Sequence, residues 1–108
     1  MAGDIIREKG LWLLQEEIPH GIAVVVNKFE ESDGLISIMA DIVCEKATHK
    51  QIIIGKGGGK LGEIGKAARL EMEKIFNKKI YLELFVKVRE DWRNRANYVK
   101  EFGYDNKN

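Results

Sequence analysis

The segment Gln51-Ile52-Ile53-Ile54-Gly55-Lys56-Gly57-Gly58-Gly59-Lys60-Leu61 constrains this chain more than any other. Four glycines fall within five residues, so no regular element can run through them without losing backbone entropy. An amphipathic pattern begins directly afterwards at Leu61, Ile64, Gly65, Ala68, Met72, Ile75 and Phe76. That spacing is the period of a helix with one buried face. A tight turn opening into a helix presents unpaired backbone N–H groups, here beside Lys56 and Lys60. Glycine has no Cβ, so a phosphate backbone can press against the main chain. The stretch reads as an anion-binding loop of a kind suited to nucleic acid.

Spacing separates the glycine motifs that could apply. A nucleotide-binding P-loop needs G-x-x-x-x-G-K-[ST] after a strand. Gly55 to Gly59-Lys60 is one residue short of it, and Leu61 stands where the magnesium-binding hydroxyl belongs. Gly57, Gly59 and Gly62 fit G-x-G-x-x-G, but the dinucleotide fingerprint must follow a strand within a βαβ unit. What precedes the turn here is a short helical candidate with Thr48 as N-cap. The remaining candidate is a G-x-x-G loop between two helices, Gly55-Lys56-Gly57-Gly58, the arrangement that clamps RNA in KH domains. A plain helix–helix turn would explain one or two glycines, not four flanked by lysines.

The chain has 108 residues, one domain's worth, with the apolar and charged content of a globular protein. No apolar run is long enough to span a bilayer, and no signal-peptide pattern is present. Cys44 is the only cysteine and falls in an alternating apolar segment, so it reads as a strand residue of the core. His20 and His49 lie far apart without a cysteine at ligand spacing, so no metal site is expected. Net charge is +1 and excludes nothing. Its distribution is more informative. Residues 46–69 carry six basic side chains (Lys46, Lys50, Lys56, Lys60, Lys66, Arg69) and one acid, Glu63. A cationic block centred on a glycine turn fits a phosphate footprint.

Along the chain, Asp4 is the expected N-cap of a first helix running to about Glu17, stopped by Pro19. A strand follows from His20, with Ile22, Val24 and Val26 on one face and Ala23, Val25, Asn27 and Phe29 on the other. Glu31-Ser32-Asp33-Gly34 carries the Asp-Gly hairpin signal. The second strand puts Ile36, Ile38, Ala40, Ile42 and Cys44 on one face. Beyond the two helices, Asn77-Lys78 is a stop. The third strand alternates Ile80, Leu82, Leu84, Val86 and Val88 against Tyr81, Glu83, Phe85, Lys87 and Arg89. Asp91 can cap a final helix, Trp92 to Phe102, ended by Gly103, before a polar tail at 105–108. The expectation is an α+β fold of order α-β-β-α-α-β-α, a three-stranded mixed sheet covered by helices on one face.

This order and loop resemble the type II KH domains, and in particular the C-terminal RNA-binding domain of the bacterial Era GTPase family. The matching residues are Asp4-Ile5-Ile6-Arg7-Glu8-Lys9, Glu16-Glu17-Ile18-Pro19-His20, Lys28-Phe29-Glu30-Glu31 and Ile53-Ile54-Gly55-Lys56-Gly57-Gly58. They continue with Leu61, Ile64-Gly65, Ala68-Arg69, Tyr81-Leu82-Glu83-Leu84, Val86-Lys87-Val88, Trp92-Arg93 and Phe102-Gly103-Tyr104. The resemblance covers nearly the whole chain as a single KH domain, residues 1–108, with Met1-Ala2-Gly3 read as an added start. It implies that single-stranded RNA lies in a groove between the glycine loop with its two helices and the third strand. The implied target is the 3′ end of 16S ribosomal RNA during assembly of the 30S subunit, with no DNA expected. The RNA-binding residues it implies are Lys50, Ile53, Ile54, Gly55, Lys56, Gly57, Gly58, Gly59, Lys60 and Leu61. GTP and magnesium belong to a GTPase domain that this sequence does not contain. The chain itself is therefore expected to need no cofactor and to be no enzyme. The implied location is the cytoplasm, with at most peripheral contact with the inner face of the membrane.

Two other classes stay open at the level of sequence. One is an enzyme acting at the glycine loop, against which stands the lack of any Ser/His/Asp, Cys/His or paired-carboxylate cluster. The other is a protein-interaction module docking on a ribosomal protein or on a GTPase domain. Purified chain is expected neither to bind nor to turn over GTP, because the loop lacks both the P-loop spacing and its hydroxyl. Saturable GTP binding in a calorimetric titration would contradict this.

Overall fold

The structure is a computed structural model, which describes residues 1–14, 18 and 21–90. Its elements run α1 (Ala2–Leu14), β1 (Ala23–Ser32), β2 (Leu35–Cys44), α2 (Ala47–Ile54), a short 3₁₀ turn (Lys56–Gly58), α3 (Gly59–Phe76) and β3 (Lys79–Val88). The expected final helix, the end of the first helix at Glu17, Pro19 and the tail at 105–108 lie outside the described residues.

The sheet has the order β1-β2-β3 and is mixed. β1 and β2 are antiparallel from Ala23↔Val43 to Ser32↔Leu35, closed by a two-residue turn in which Gly34 has φ +72°. β2 and β3 are parallel, in unbroken register from Leu35↔Lys79 to Cys44↔Val88. Parallel neighbours cannot be joined by a hairpin, so α2, the glycine turn and α3 form the crossover between them.

The alternation expected for β2 and β3 decides which face is covered. Ile36, Ile38, Ala40, Ile42 and Cys44 are all buried and share one side, with Ile80 and Val86 beside them. They meet Ile5, Ile6 and Leu14 from α1, Ile53 from α2, and Ile64, Ala68 and Met72 from α3 in one core cluster. Burying such side chains stabilises by roughly 1.5–3 kcal/mol each. Desolvation in this core raises the pKa of the Cys44 thiol, so it is held in its neutral form. α1 lies close over β1: a Cβ on Gly10 would sit 2.7 Å from Ile22 Cδ1. The same junction is tied by Arg7 Nε, which donates to the Ile22 carbonyl at 2.9 Å.

Local detail departs from the sequence expectation in four places. α1 begins at Ala2, which is buried, so Asp4 lies inside the first turn rather than at the cap. Ala2 and Gly3 therefore belong to the helix, and the Met1 carbonyl accepts the Ile5 N–H at 3.1 Å. α2 begins at Ala47 with Lys46 in the cap position and no side-chain capping bond, so Thr48 is not the N-cap. In β1 a register shift between Val26 and Lys28 inserts one extra residue. A bulge of this kind reverses the side-chain alternation beyond it. Phe29, expected opposite Val24 and Val26, is thereby turned to the helix side, where its ring meets Phe76 edge-on at 5.9 Å. Finally, Ile75 is 47% exposed, because the buried stripe of α3 runs through Ile64, Ala68 and Met72 at intervals of four.

Among the described residues no helix is long and apolar enough to cross a membrane. The stripe on α3 yields a direct test. Ile64→Ala should lower the unfolding free energy by about 3 kcal/mol through the cavity it leaves. Ile75→Ala should change it by about 0.5 kcal/mol, as surface substitutions do. Urea denaturation of the two variants checks the order, and equal losses would place the buried face wrongly.

Candidate nucleic-acid interface

The glycine turn is built from conformations that only glycine adopts readily. Gly55 ends α2 with φ 74° and ψ 176°, and its N–H still donates to the Gln51 carbonyl at 2.9 Å. Gly57 has φ 62°, ψ 22° and Gly58 has φ 78°, ψ 7°, both left-handed. A side chain in such conformations clashes with its own backbone. The turn closes through Gly58 N–H to the Gly55 carbonyl at 3.2 Å and Gly59 N–H to the Lys56 carbonyl.

The glycines differ in what their missing Cβ leaves room for. A Cβ on Gly55 would lie 2.6 Å from Lys60 Cβ and 2.8 Å from Lys60 N, so this glycine serves the chain itself by letting α3 start against the end of α2. Around Gly57, Gly58, Gly59 and Gly62 a Cβ would meet nothing within 4 Å. Their bareness leaves open surface at the start of α3. No side chain caps that helix. Gly59 N–H is taken by the Lys56 carbonyl, but the later N–H groups of a helix's first turn have no carbonyl of their own helix behind them, and the dipole favours an anion there.

α3 then runs beside β3, and the two enclose a groove of about 500 Å³ that begins at the turn. Gly58, Leu61, Gly62, Gly65, Lys66 and Arg69 line it from the helix, and Leu82 and Leu84 from the strand. The floor is apolar and the helix side is bare, because glycine recurs at 58, 62 and 65 on one helical row. β3 adds polar groups of its own. Lys79 N–H donates to the Gly34 carbonyl and Arg89 N–H to the Cys44 carbonyl, so odd-numbered residues of β3 pair with β2. In an unbroken parallel ladder the even-numbered ones point the other way. The backbone N–H and C=O of Leu82 and Leu84 therefore face away from β2, on the sheet edge beside the groove.

The residues expected at the site divide accordingly. Gly58 and Leu61 line the groove itself. Lys56, Gly57 and Gly59 form the exposed crest of the turn, and Gly55 its hinge. Lys60 lies at the start of α3, paired with exposed Glu63 at 3.6 Å. Ile53 is fully buried and supports the turn from the core, and Ile54 packs against that core. Lys50 is exposed on α2 and does not line the groove. The sequence expectation named the third strand as a wall but not Gly62, Gly65, Lys66, Arg69, Leu82 and Leu84. The first four lie at steps of three and four from Gly58 and Leu61, a signal that was available. The two leucines look like ordinary core residues until their strand is placed at the edge of the sheet.

A bare cationic turn between two helices, leading into an apolar groove beside β3, is the fold arrangement of a KH domain. Comparison with known proteins agrees: the KH domain family profile matches residues 17–93, and the chain belongs to that family. Within it, the chain is similar to Era. It is 54% identical over 110 residues to the GTPase Era of Ruminiclostridium cellulolyticum, covering 100% of this chain and 37% of that protein. It is 51% identical to the GTPase Era of Alkaliphilus oremlandii, covering 97% and 36%. Among solved structures, an Aquifex aeolicus Era variant bound to GDP and AlF4⁻ superposes with a TM-score of 0.86 at 46% identity, covering 95% of this chain and 35% of that one. Era in complex with MgGDPNP and nucleotides 1506–1542 of 16S ribosomal RNA gives the same TM-score, identity and coverage. The chain thus spans little more than a third of the length of these relatives.

The two kinds of glycine should respond in opposite ways. Gly55→Ala forces a methyl onto the Lys60 backbone from a glycine-only conformation and should cost about 2–3 kcal/mol. Gly59→Ala, at φ −62° with open space around it, should stabilise by about 0.5 kcal/mol. Thermal melts of both variants test this. Two variants that shift in the same direction would contradict the geometry.

Proposed function

We propose that this chain binds single-stranded RNA in the α3–β3 groove, with the Gly55-Lys56-Gly57-Gly58 turn gripping the sugar-phosphate backbone. One observation carries the reading: the groove begins at a turn whose glycines leave open space beside the uncapped start of α3. Phosphates would meet the first-turn N–H groups with Lys56 and Lys60 beside them, and bases would lie on Leu61, Gly65, Leu82 and Leu84. The free backbone groups of Leu82 and Leu84 can pair with base edges, so aromatic stacking is not required. A duplex does not fit this arrangement, since an A-form helix hides its base edges in a deep groove. DNA is not the expected ligand.

By similarity to Era in complex with nucleotides 1506–1542 of 16S ribosomal RNA, the proposed target is the 3′ end of that RNA, in the context of 30S assembly in the cytoplasm. Any contact with the membrane would be peripheral. The chain is proposed to act as a binding module and not as an enzyme. Nucleotide hydrolysis, with its GTP and Mg²⁺, would reside in the remaining part of proteins built like the relatives named GTPase Era.

The decisive variant is Lys56→Asp with Gly57→Asp. Lys56 and Gly57 are exposed and a Cβ on Gly57 meets nothing, so the structural cost is confined to φ +62° at Gly57, on the order of 1 kcal/mol. Binding loses a cation and gains two carboxylates where phosphate must sit. Affinity for a short single-stranded RNA should fall at least about tenfold, or about 1.4 kcal/mol, with circular dichroism unchanged. For the parent, log affinity should fall with log salt with a slope of roughly −2, as for about three phosphates. A folded double variant that binds as the parent does would favour a protein-docking module using another face.

A further inference from the structure

The far end of the groove is chemically unlike the end at the turn. Arg69 lines it, and Nη1 of Arg69 donates to Glu73 Oε2 at 3.2 Å. The same carboxylate oxygen accepts the backbone N–H of Ile80, also at 3.2 Å. Ile80 is an even-numbered residue of β3, so this N–H is the first of the groups pointing off the sheet edge. Glu73 therefore closes the edge at Ile80 and leaves Leu82 and Leu84 open beyond it. In doing so it fixes the guanidinium from a carboxylate that is itself anchored to the strand.

The charge arithmetic separates Arg69 from its neighbour Lys66. Lys66 also lines the groove and has no carboxylate within ion-pair distance among the described residues. It presents a net positive charge, as a phosphate contact requires. Arg69 and Glu73 together are neutral, so the pair has little long-range attraction for phosphate, and Glu73 would repel it at close range. What remains is a rigid fork of N–H donors, since a guanidinium carries five and Glu73 engages one in this structure. Gly58 and Arg69 are eleven residues apart on one helix, about 16 Å along its axis. That length suits the few nucleotides a turn of this type holds, which places a base rather than the gripped backbone at Arg69.

Resting on the RNA-binding reading above, we infer that Arg69, positioned by Glu73, reads one base at the closed end of the groove. It selects a base with two adjacent acceptors, guanine through O6 and N7 or cytosine through N3 and O2, over adenine and uracil. A fork satisfied by paired acceptors is left half-unpaired by adenine, whose N7 and N1 each adjoin the N6 amino donor, and by uracil, whose acceptors flank N3–H. Good bidentate pairs discriminate by about tenfold or more.

The test uses the whole chain and oligouridine hexamers in which a single A, G or C is walked through each position. The parent should show one position where G or C binds about tenfold tighter than U or A. Arg69→Lys keeps the charge and loses the fork, so this preference should fall below about twofold with the salt slope unchanged. Glu73→Gln keeps an acceptor for Ile80 N–H but frees the charge of Arg69. The preference should weaken and the slope steepen by about 0.7. An Arg69→Lys variant that retains the parent's base profile overturns the inference, because a lysine would replace a phosphate contact but not a base-reading fork. A Glu73→Gln variant unchanged in both readouts removes Glu73 as the positioning group. A parent that binds none of the hexamers overturns the RNA reading itself, and a parent that binds them all without a preferred base overturns only this inference.

Discussion

The parallel pairing of β3 with β2 is the constraint on which the candidate site depends. Ten residues are matched without a break, and two parallel strands need a connection that returns the chain to the same end of the sheet. That connection is α2, the glycine turn and α3. α3 lies on the sheet close to the strand it leads into, and among the described residues β3 is an edge of the sheet. A helix beside that strand leaves a groove with an apolar floor and, among the described residues, the backbone groups of Leu82 and Leu84 without a partner strand. The antiparallel β1–β2 hairpin has no comparable consequence, since its free edge is on the far side of the sheet from α3's groove.

Within that frame the turn has two separable tasks. Gly55 permits the reversal, because any Cβ there would collide with the Lys60 backbone. Gly57 and Gly58 adopt left-handed conformations into open space, so their surroundings can receive a ligand backbone. The fold's demand thus falls on Gly55, while Gly57 and Gly58 are left bare at the surface of the same motif. Charge is divided in a similar way. The chain is close to neutral as a whole, Lys56 and Lys66 carry no ion-pair partner among the described residues, and Arg69 is held by Glu73. The cationic block visible along the sequence is thereby resolved into lysines without a carboxylate partner among the described residues and two side chains, Lys60 and Arg69, each paired with a glutamate.

Much of this was legible beforehand for a physical reason: periodicity survives in sequence. The alternation in β2 and β3 and the period of α3 announced their buried faces. The spacing of Gly55, Lys56, Gly57 and Gly58 between two helical patterns announced the turn and, with it, the family. The signals that failed were those set by one extra residue or by neighbours distant in the chain. Phe29 changed faces because a bulge at Asn27 cannot be read from alternation that continues through it. Asp4 and Thr48 are good capping residues, but α1 and α2 extend past them because packing of Ala2 and the approach from β2 start each helix earlier.

The sequence by itself determined the element order, the glycine turn and the identity of most core residues, because these depend on local conformational preference and on which side chains avoid water. It could not determine that Leu82 and Leu84 floor a groove, that Glu73 reaches the Ile80 N–H, or that Ile53 is fully buried beneath the turn. Those facts depend on which strand becomes the edge of the sheet and on how far along it α3 is placed. Only the packed tertiary structure decides this, since edge position and side-chain contact are relations between segments brought together by the crossover.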